Sequence, residues 1–271
     1  LGWIYILIAM GLSLIFGIMR ILQFAHGEVY MLGAYTVYYL SVAHGLSFFV
    51  AMLISMVVGL VLGIILERLF FRPLGGELLT TLMVALGLSI VLQASVTVGF
   101  GVTPKSIPSF APHPTEILGI MLGSDRLIAV GVSVAMILLL YLFLKRSKYG
   151  QALTAVAQHR EASLLMGINP TRMSVMAMAI GSALATIAGG LMGAIFPISP
   201  FMGGTALIKG LIIIILGGMG SLLGVVVGGL ILGLIDGLAP VIFGPAVAAI
   251  APLFIVTIIL VLRPQGLFGH E

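Results

Sequence analysis

Long apolar runs separated by short polar breaks make up this chain, at residues 2–19, 24–43, 48–67, 79–99, 127–144, 173–196, 204–216, 222–239 and 246–262. Within each run the apolar residues are continuous rather than alternating. The spanning unit is therefore a helix and not the ~10-residue strand of a membrane barrel. The pattern predicts an all-α, polytopic helical membrane protein of about nine transmembrane spans, with eight as the alternative and some of them short or broken. Residues 1–271 form a single transmembrane domain. The run 204–216 is the weakest, since at ~1.5 Å per residue it reaches only ~20 Å of a ~30 Å hydrocarbon core.

One long polar interval lies well inside the sequence, at residues 145–172, KRSKYGQALTAVAQHREASLLMGINPTR. Leu153, Val156 and Ala157, then Leu164, Leu165 and Ile168, recur there at three- and four-residue steps, which predicts one or two short amphipathic helices stopped by Gly167 and Pro170. Such a helix outside the bilayer needs cover for its apolar face. It either rests on the lipid headgroups or docks a soluble partner.

Composition sharpens this picture. At 61% hydrophobic and 7% charged residues, with a mean hydropathy of +1.30, the chain has too much apolar surface to hide inside a soluble globule. It has no cysteine, which excludes disulfides and thiolate metal sites. The basic balance has no soluble domain to cluster on, so it reads as membrane topology and not as nucleic-acid binding. With alternating spans and residues 145–172 in the cytoplasm, Arg20, Arg68, Arg72, Lys145, Arg146, Lys148, Arg160, Arg172 and Arg263 fall inside, and Lys105, Arg126 and Lys209 outside. That asymmetry predicts an external amino terminus and an internal carboxyl terminus. The sequence opens on Leu1 within an apolar run, so the true start is expected to lie upstream, and no cleavable signal peptide is recognisable.

Small residues mark close helix approaches: Ala9, Ser13 and Gly17 in one row, and Gly220, Gly224 and Gly228 with Gly229, Gly233 and Gly237 in two more. The outer loop at residues 100–125 carries four prolines and is expected to be irregular and stiff, as a lid, a docking surface or a plain connector. Tyr35, Tyr38 and Tyr39 are expected at the outer interface. No phosphate-binding loop of the G-x-x-x-x-G-K-S/T type is present, and the five histidines are dispersed, so neither ATP hydrolysis nor a metal site is expected of this chain. Glu67 with Arg68 and Arg72 reads as a snorkelling charge cluster. Gln23, His26 and Glu28 interrupt an otherwise apolar run around Gly27, and polar groups at membrane depth default to a functional hypothesis, with capping at the interface as the alternative. In a helix His26 and Glu28 project about 200° apart, so they share a surface only if the helix breaks at Gly27. Lys209 either snorkels outward or lines an outer mouth.

At these residues the sequence resembles the permease subunits of bacterial and archaeal ABC importers for branched-chain amino acids, specifically the shorter of their two related permeases. The matching stretches are LSLIFGIMRILQFAHGEVYMLGAY (residues 12–35), ERLFFRPL (67–74), LGGMGS (216–221) and RPQGL (263–267). Arg160, Glu161, Ala162 and Ser163, followed by Gly167, resemble the Glu-Ala-Ala…Gly signature that seats a coupling helix in an ATPase groove. Ser163 stands where that signature has a second alanine, and Gln23 stands where an asparagine is expected.

The resemblance implies the transmembrane subunit of an ATP-driven importer moving branched-chain or related small amino acids by alternating access in a bacterial or archaeal cytoplasmic (inner) membrane. It implies partners: a second homologous permease in a heterodimer, two cytoplasmic ATPase subunits that bind ATP and Mg, and an extracytoplasmic binding protein. The chain itself is expected to be no enzyme and to hold no cofactor. Gln23, His26, Gly27, Glu28 and Lys209 are the candidate pathway or gating residues. A passive channel or secondary transporter for a small polar solute such as urea or a short amide is the alternative.

Overall fold

The computed structural model describes residues 1–75, 77–110, 115–117, 120–244, 250, 253–254, 256–258, 261, 263 and 266–268. Its α-helices are α1 (Gly2–Met19), α2 (His26–Tyr38), α3 (Phe48–Ile65), α4 (Leu78–Phe100), α5 (Ser124–Arg146), α6 (Lys148–Gln158), α7 (Arg160–Leu165), α8 (Pro170–Ile195), α9 (Met202–Gly217) and α10 (Leu222–Phe243). Among the described residues, six helical segments are long and apolar enough to cross a membrane: Gly2–Met19, Phe48–Leu74, Leu78–Phe100, Ser124–Arg146, Pro170–Ile195 and Leu222–Ile242. The expected second span is α2 continued by the π-helical turn Tyr39–Ala43, and the expected short span at 204–216 is the 16-residue α9. The proposed ninth span, 246–262, falls largely outside the described residues.

The centre of the bundle is α8, with 83% of its most apolar stretch buried against 11% in α4. Its sequence explains this. Glycine, alanine, serine and threonine dominate residues 181–194, and small side chains let neighbouring backbones close in where no hydrophobic effect pulls helices together. A β-carbon added at Gly33 of α2 would strike the backbone of Thr186, and one at Gly189 would strike the Tyr30 carbonyl. Gly63 of α3 meets Met178 and Gly11 of α1 meets Gly181 in the same way. Three helices, α1, α2 and α3, thus lie directly on α8.

The α10 rows hold in part. Gly224 packs on Gly217, Gly228 on the Ile213 carbonyl, Gly229 on Ile6 and Gly233 on Gly2. Among the described residues an added β-carbon at Gly237 meets no atom within 4 Å, and Gly220 lies before α10 in a turn with φ 88°.

At the end of the bundle where α8 finishes, Lys105 and Ile198 exchange backbone hydrogen bonds at 2.9 and 2.7 Å, and Phe110 stacks on Phe48 with ring centroids 3.9 Å apart. A short antiparallel hairpin, β1 (Thr115–Ile117) with β2 (Ile120–Leu122), sits in the same loop. Tyr35 is buried against Phe100, the last residue of α4, at 4.9 Å, while Tyr39 is 48% exposed.

Candidate functional site

Three polar features stand out from the apolar bundle. The first is the start of α2. Helix α1 stops at Arg20, which takes the left-handed conformation (φ 57°), the only non-glycine residue among those described to do so. Residues 21–25 then double back. His26, the first residue of α2, reaches the carbonyl of Ile8, seven residues into α1, through Nε2 at 3.3 Å. Glu28 Oε1 accepts a hydrogen bond of 3.1 Å from Ser89 Oγ, twelve residues into the 23-residue α4. The amino-terminal end of α2 therefore lies beside the middle of two spans and not at a membrane surface. This is the discontinuous-helix arrangement that places a positive helix end inside a bilayer.

Gly27 does not break the helix. Instead it faces Gly203 at the start of α9, each glycine leaving room for the other's carbonyl, and Gly203 also admits the Glu28 carboxylate: a β-carbon there would lie 2.8 Å from Oε2. His26 and Glu28 point to different neighbours, α1 and α4, as continuous helical geometry requires. Glu28 is not paired with Arg20, which is exposed at the end of α1. Gln23, His26 and Glu28 are each at most 3% exposed, and among the described residues no protein atom satisfies either amide atom of Gln23, His26 Nδ1 or Glu28 Oε2. An Nε2–H tautomer donating to Ile8 leaves Nδ1 as an acceptor. Four buried polar atoms with spare capacity around one helix start form an intramembrane polar cluster.

The second feature was half-missed by the sequence. Lys209 neither snorkels nor stands free. It donates from Nζ to Tyr5 Oη at 2.9 Å, lies over the Tyr5 ring, and forms an ion pair with Asp236 of α10. The pair ties α9, α10 and α1 together, and among the described residues no hydrogen bond or ion pair links Lys209 to Gln23, His26 or Glu28. Asp236 was not singled out from the sequence, although it is the lone acid of the 222–239 run.

The third is the polar interval. It forms two helices, and they differ. The apolar face of α6, Leu153 and Val156, is buried, and Ser147 caps its first turn by accepting from Gly150 N at 2.8 Å. In α7, Ser163 is turned inward and donates to the His159 carbonyl at 2.8 Å. The helix closes as a Schellman motif: Ile168 N donates to Ser163 O and Gly167 N to Leu164 O, both at 3.0 Å, with Gly167 at φ 78°. Leu164, Leu165 and Met166 are left 55%, 89% and 81% exposed beside exposed Arg160, Glu161 and Ala162. Only α6 buries its apolar residues within this chain.

Glu67 also departs from the snorkelling reading. It is 2% exposed while Arg68 and Arg72 are exposed, because the π-helical stretch Leu66–Phe71 turns it inward. A cleft beside it is lined by Arg72, Arg160, Thr171 and Ser174. Loops assigned to one side by charge thus meet at one end of the bundle.

A glycine-packed bundle of apolar helices with a discontinuous helix, buried polar groups and a projecting polar loop defines a polytopic membrane permease. The chain belongs to the branched-chain amino acid transport system permease component family, whose sequence profile matches residues 1–262. It is 32% identical to the high-affinity branched-chain amino acid transport system permease protein BraD of Pseudomonas aeruginosa, over 99% of this chain and 92% of that protein. Identity to the corresponding LivH of Escherichia coli K12 is 30%, over 100% of this chain and 92% of LivH. LivM of the same strain matches at 28%, over 86% of this chain but 60% of LivM, which agrees with the shorter of two related permeases. No solved structure matches the sequence.

Proposed function

We propose that this chain is the shorter permease of an ATP-driven importer for branched-chain or related small amino acids, pairing with a longer homologous permease, two ATPase subunits and an extracytoplasmic binding protein in a bacterial or archaeal inner membrane. The observation that carries this reading is the uncovered tip of α7. Three consecutive large apolar side chains project from a helix held rigidly by its Schellman cap and by the buried α6. A passive channel has no use for such a surface, whereas a permease driven by separate ATPases needs one. Closure of the ATPases would push α7, and through α6 the spans α5 and α1, rocking the bundle between outward- and inward-open states. In this reading Gln23, His26, Gly27 and Glu28 line or gate the pathway, and the Lys209–Asp236 pair holds α9 and α10 together during the movement.

The decisive experiment replaces Leu165 and Met166 by Asp. Both side chains are exposed, so insertion and folding of the permease are expected to be unchanged. Co-purification of the ATPase subunit and substrate-stimulated ATP hydrolysis are expected to drop at least tenfold, in the range of a lost apolar hot spot. Normal stimulated hydrolysis by the doubly substituted complex would remove α7 as the coupling element.

Orientation is tested separately. The chain has no cysteine, so Ser109→Cys and Gln158→Cys each supply one exposed thiol, at opposite ends of the bundle. An impermeant thiol reagent should label the first in intact cells and the second only after the membrane is opened. Labelling of both from the same side would overturn the assigned topology.

A further inference from the structure

A second cleft lies at the end of the bundle where α8 begins, lined by Arg68, Arg72, Asn169, Thr171, Arg172 and Val175. Its three guanidinium groups come from two separate elements. Arg68 lies in the π-helical stretch and Arg72 opens the 3-10 turn Arg72–Leu74 that continues it, and both line the cleft. Arg172 sits in the first turn of α8, which Asn169 fixes by accepting from Thr171 N and Arg172 N at 3.0 and 3.3 Å. Among the described residues no carboxylate lies within ion-pair distance of any of the three. The nearest acid in sequence, Glu67, is buried in the neighbouring cleft, which Arg72 also lines. Three exposed arginines around one cleft outnumber the single buried acid behind them, which leaves a net positive site, and the guanidinium fork matches a phosphate bidentately.

We propose that this cleft binds the phosphate of an anionic phospholipid headgroup. The rim favours lipid over a soluble acidic partner. Ile65 and Leu69, flanking Arg68 on the same helix, are 40% and 66% exposed, and α4 opens with Leu78 and Leu79 at 55% and 67%. The arginines thus stand where an apolar, lipid-facing belt ends, the depth at which phosphodiesters lie. Basic pockets between spans on the cytoplasmic side recognise such headgroups. The uncovered apolar residues of α7, Leu165 and Met166, are not part of the cleft. Placement in the cytoplasmic leaflet rests on the orientation proposed above, but binding itself does not, so failure of one is distinguishable from failure of the other.

The test titrates the purified permease complex in detergent with phosphatidylglycerol, with phosphatidylcholine of the same acyl chains, and with inorganic phosphate, reading bound lipid by native mass spectrometry. Phosphatidylglycerol should bind more tightly than phosphatidylcholine by about fivefold per arginine engaged. The combined variant Arg68→Gln, Arg72→Gln, Arg172→Gln should lose that preference, and Lys105→Gln, at the opposite end of α8, should keep it. Millimolar inorganic phosphate should leave the lipid in place. Equal binding of the two lipids, or an unchanged preference in the triple variant, overturns the site. Displacement by inorganic phosphate would make it a free-anion site and overturn the lipid assignment. Loss of the ATPase from the triple variant with lipid preference intact would make the arginines a protein contact, with the same consequence.

Discussion

Asp236→Leu is expected to cost about 3 kcal/mol of bundle stability, seen as a large fall in the yield of monodisperse protein and in its thermal midpoint. Lys209 would be left between α9 and α10 with only the Tyr5 hydroxyl as partner, and stranding one member of a buried pair costs roughly 3–5 kcal/mol. The lower end applies here because the Lys209 side chain is 29% exposed and Asp236 10%. Lys209→Met should behave similarly, since it strands the acid. The double substitution Lys209→Met, Asp236→Leu should recover most of the loss, because a buried pair exchanged for apolar residues of similar volume is often neutral. A double variant as unstable as the two singles summed would show that the groups act independently and that the pair does not hold the helices. If the double variant is stable yet transports poorly, the pair serves the conformational cycle and not the fold.

Gly33→Val is expected to be more damaging to assembly than any other small substitution in α2. Its β-carbon would meet the carbonyl oxygen, Cα and carbonyl carbon of Thr186, all main-chain atoms of the central helix. A side chain in the way can rotate, but a backbone cannot. Relief therefore requires α2 and α8 to separate, and the cost should reach or exceed the ~3 kcal/mol upper range of core overpacking. Gly189→Val strikes the Tyr30 carbonyl from the other side of the same contact and should fail equally. Gly131→Ala and Gly237→Ala are the controls, with no atom of the described residues within 4 Å of the added carbon, and should be neutral or stabilising by up to ~1 kcal/mol through helix propensity. The comparison is read by detergent-solubilised yield and thermal midpoint. Equal behaviour of Gly33→Val and Gly131→Ala would mean that the α2–α8 contact is looser than drawn.

These two experiments separate what one dimension of information carries from what three carry. The sequence by itself determined the class of the molecule and where its six long apolar helices and the shorter α2 and α9 lie along the chain. Burial in lipid demands long continuous apolar runs, and such runs are countable without knowing what packs where. It also determined that residues 145–172 would project as short helices, because Gly167 and Pro170 are local stop signals. The Gln23, His26 and Glu28 cluster was visible for the same reason: a polar residue in an apolar run is an anomaly in any register.

Only the tertiary structure decided which helices lie on α8: its many small residues mark a face fit for close approach, but not that α1, α2 and α3 are what approaches it. It decided what Gly224, Gly228, Gly229 and Gly233 pack against, because a row of glycines marks a smooth face without saying what lies against it. The partner of Lys209 lay in another span, and long-range pairs leave no trace in local spacing. Above all, the start of α2 beside the middle of α1 and α4 could not be read from hydropathy. Residues 21–25 are apolar enough to sit at an interface or inside the bundle, and the depth of a helix terminus is set by the left-handed turn at Arg20 and by the glycines that admit α2 against α8 and α9.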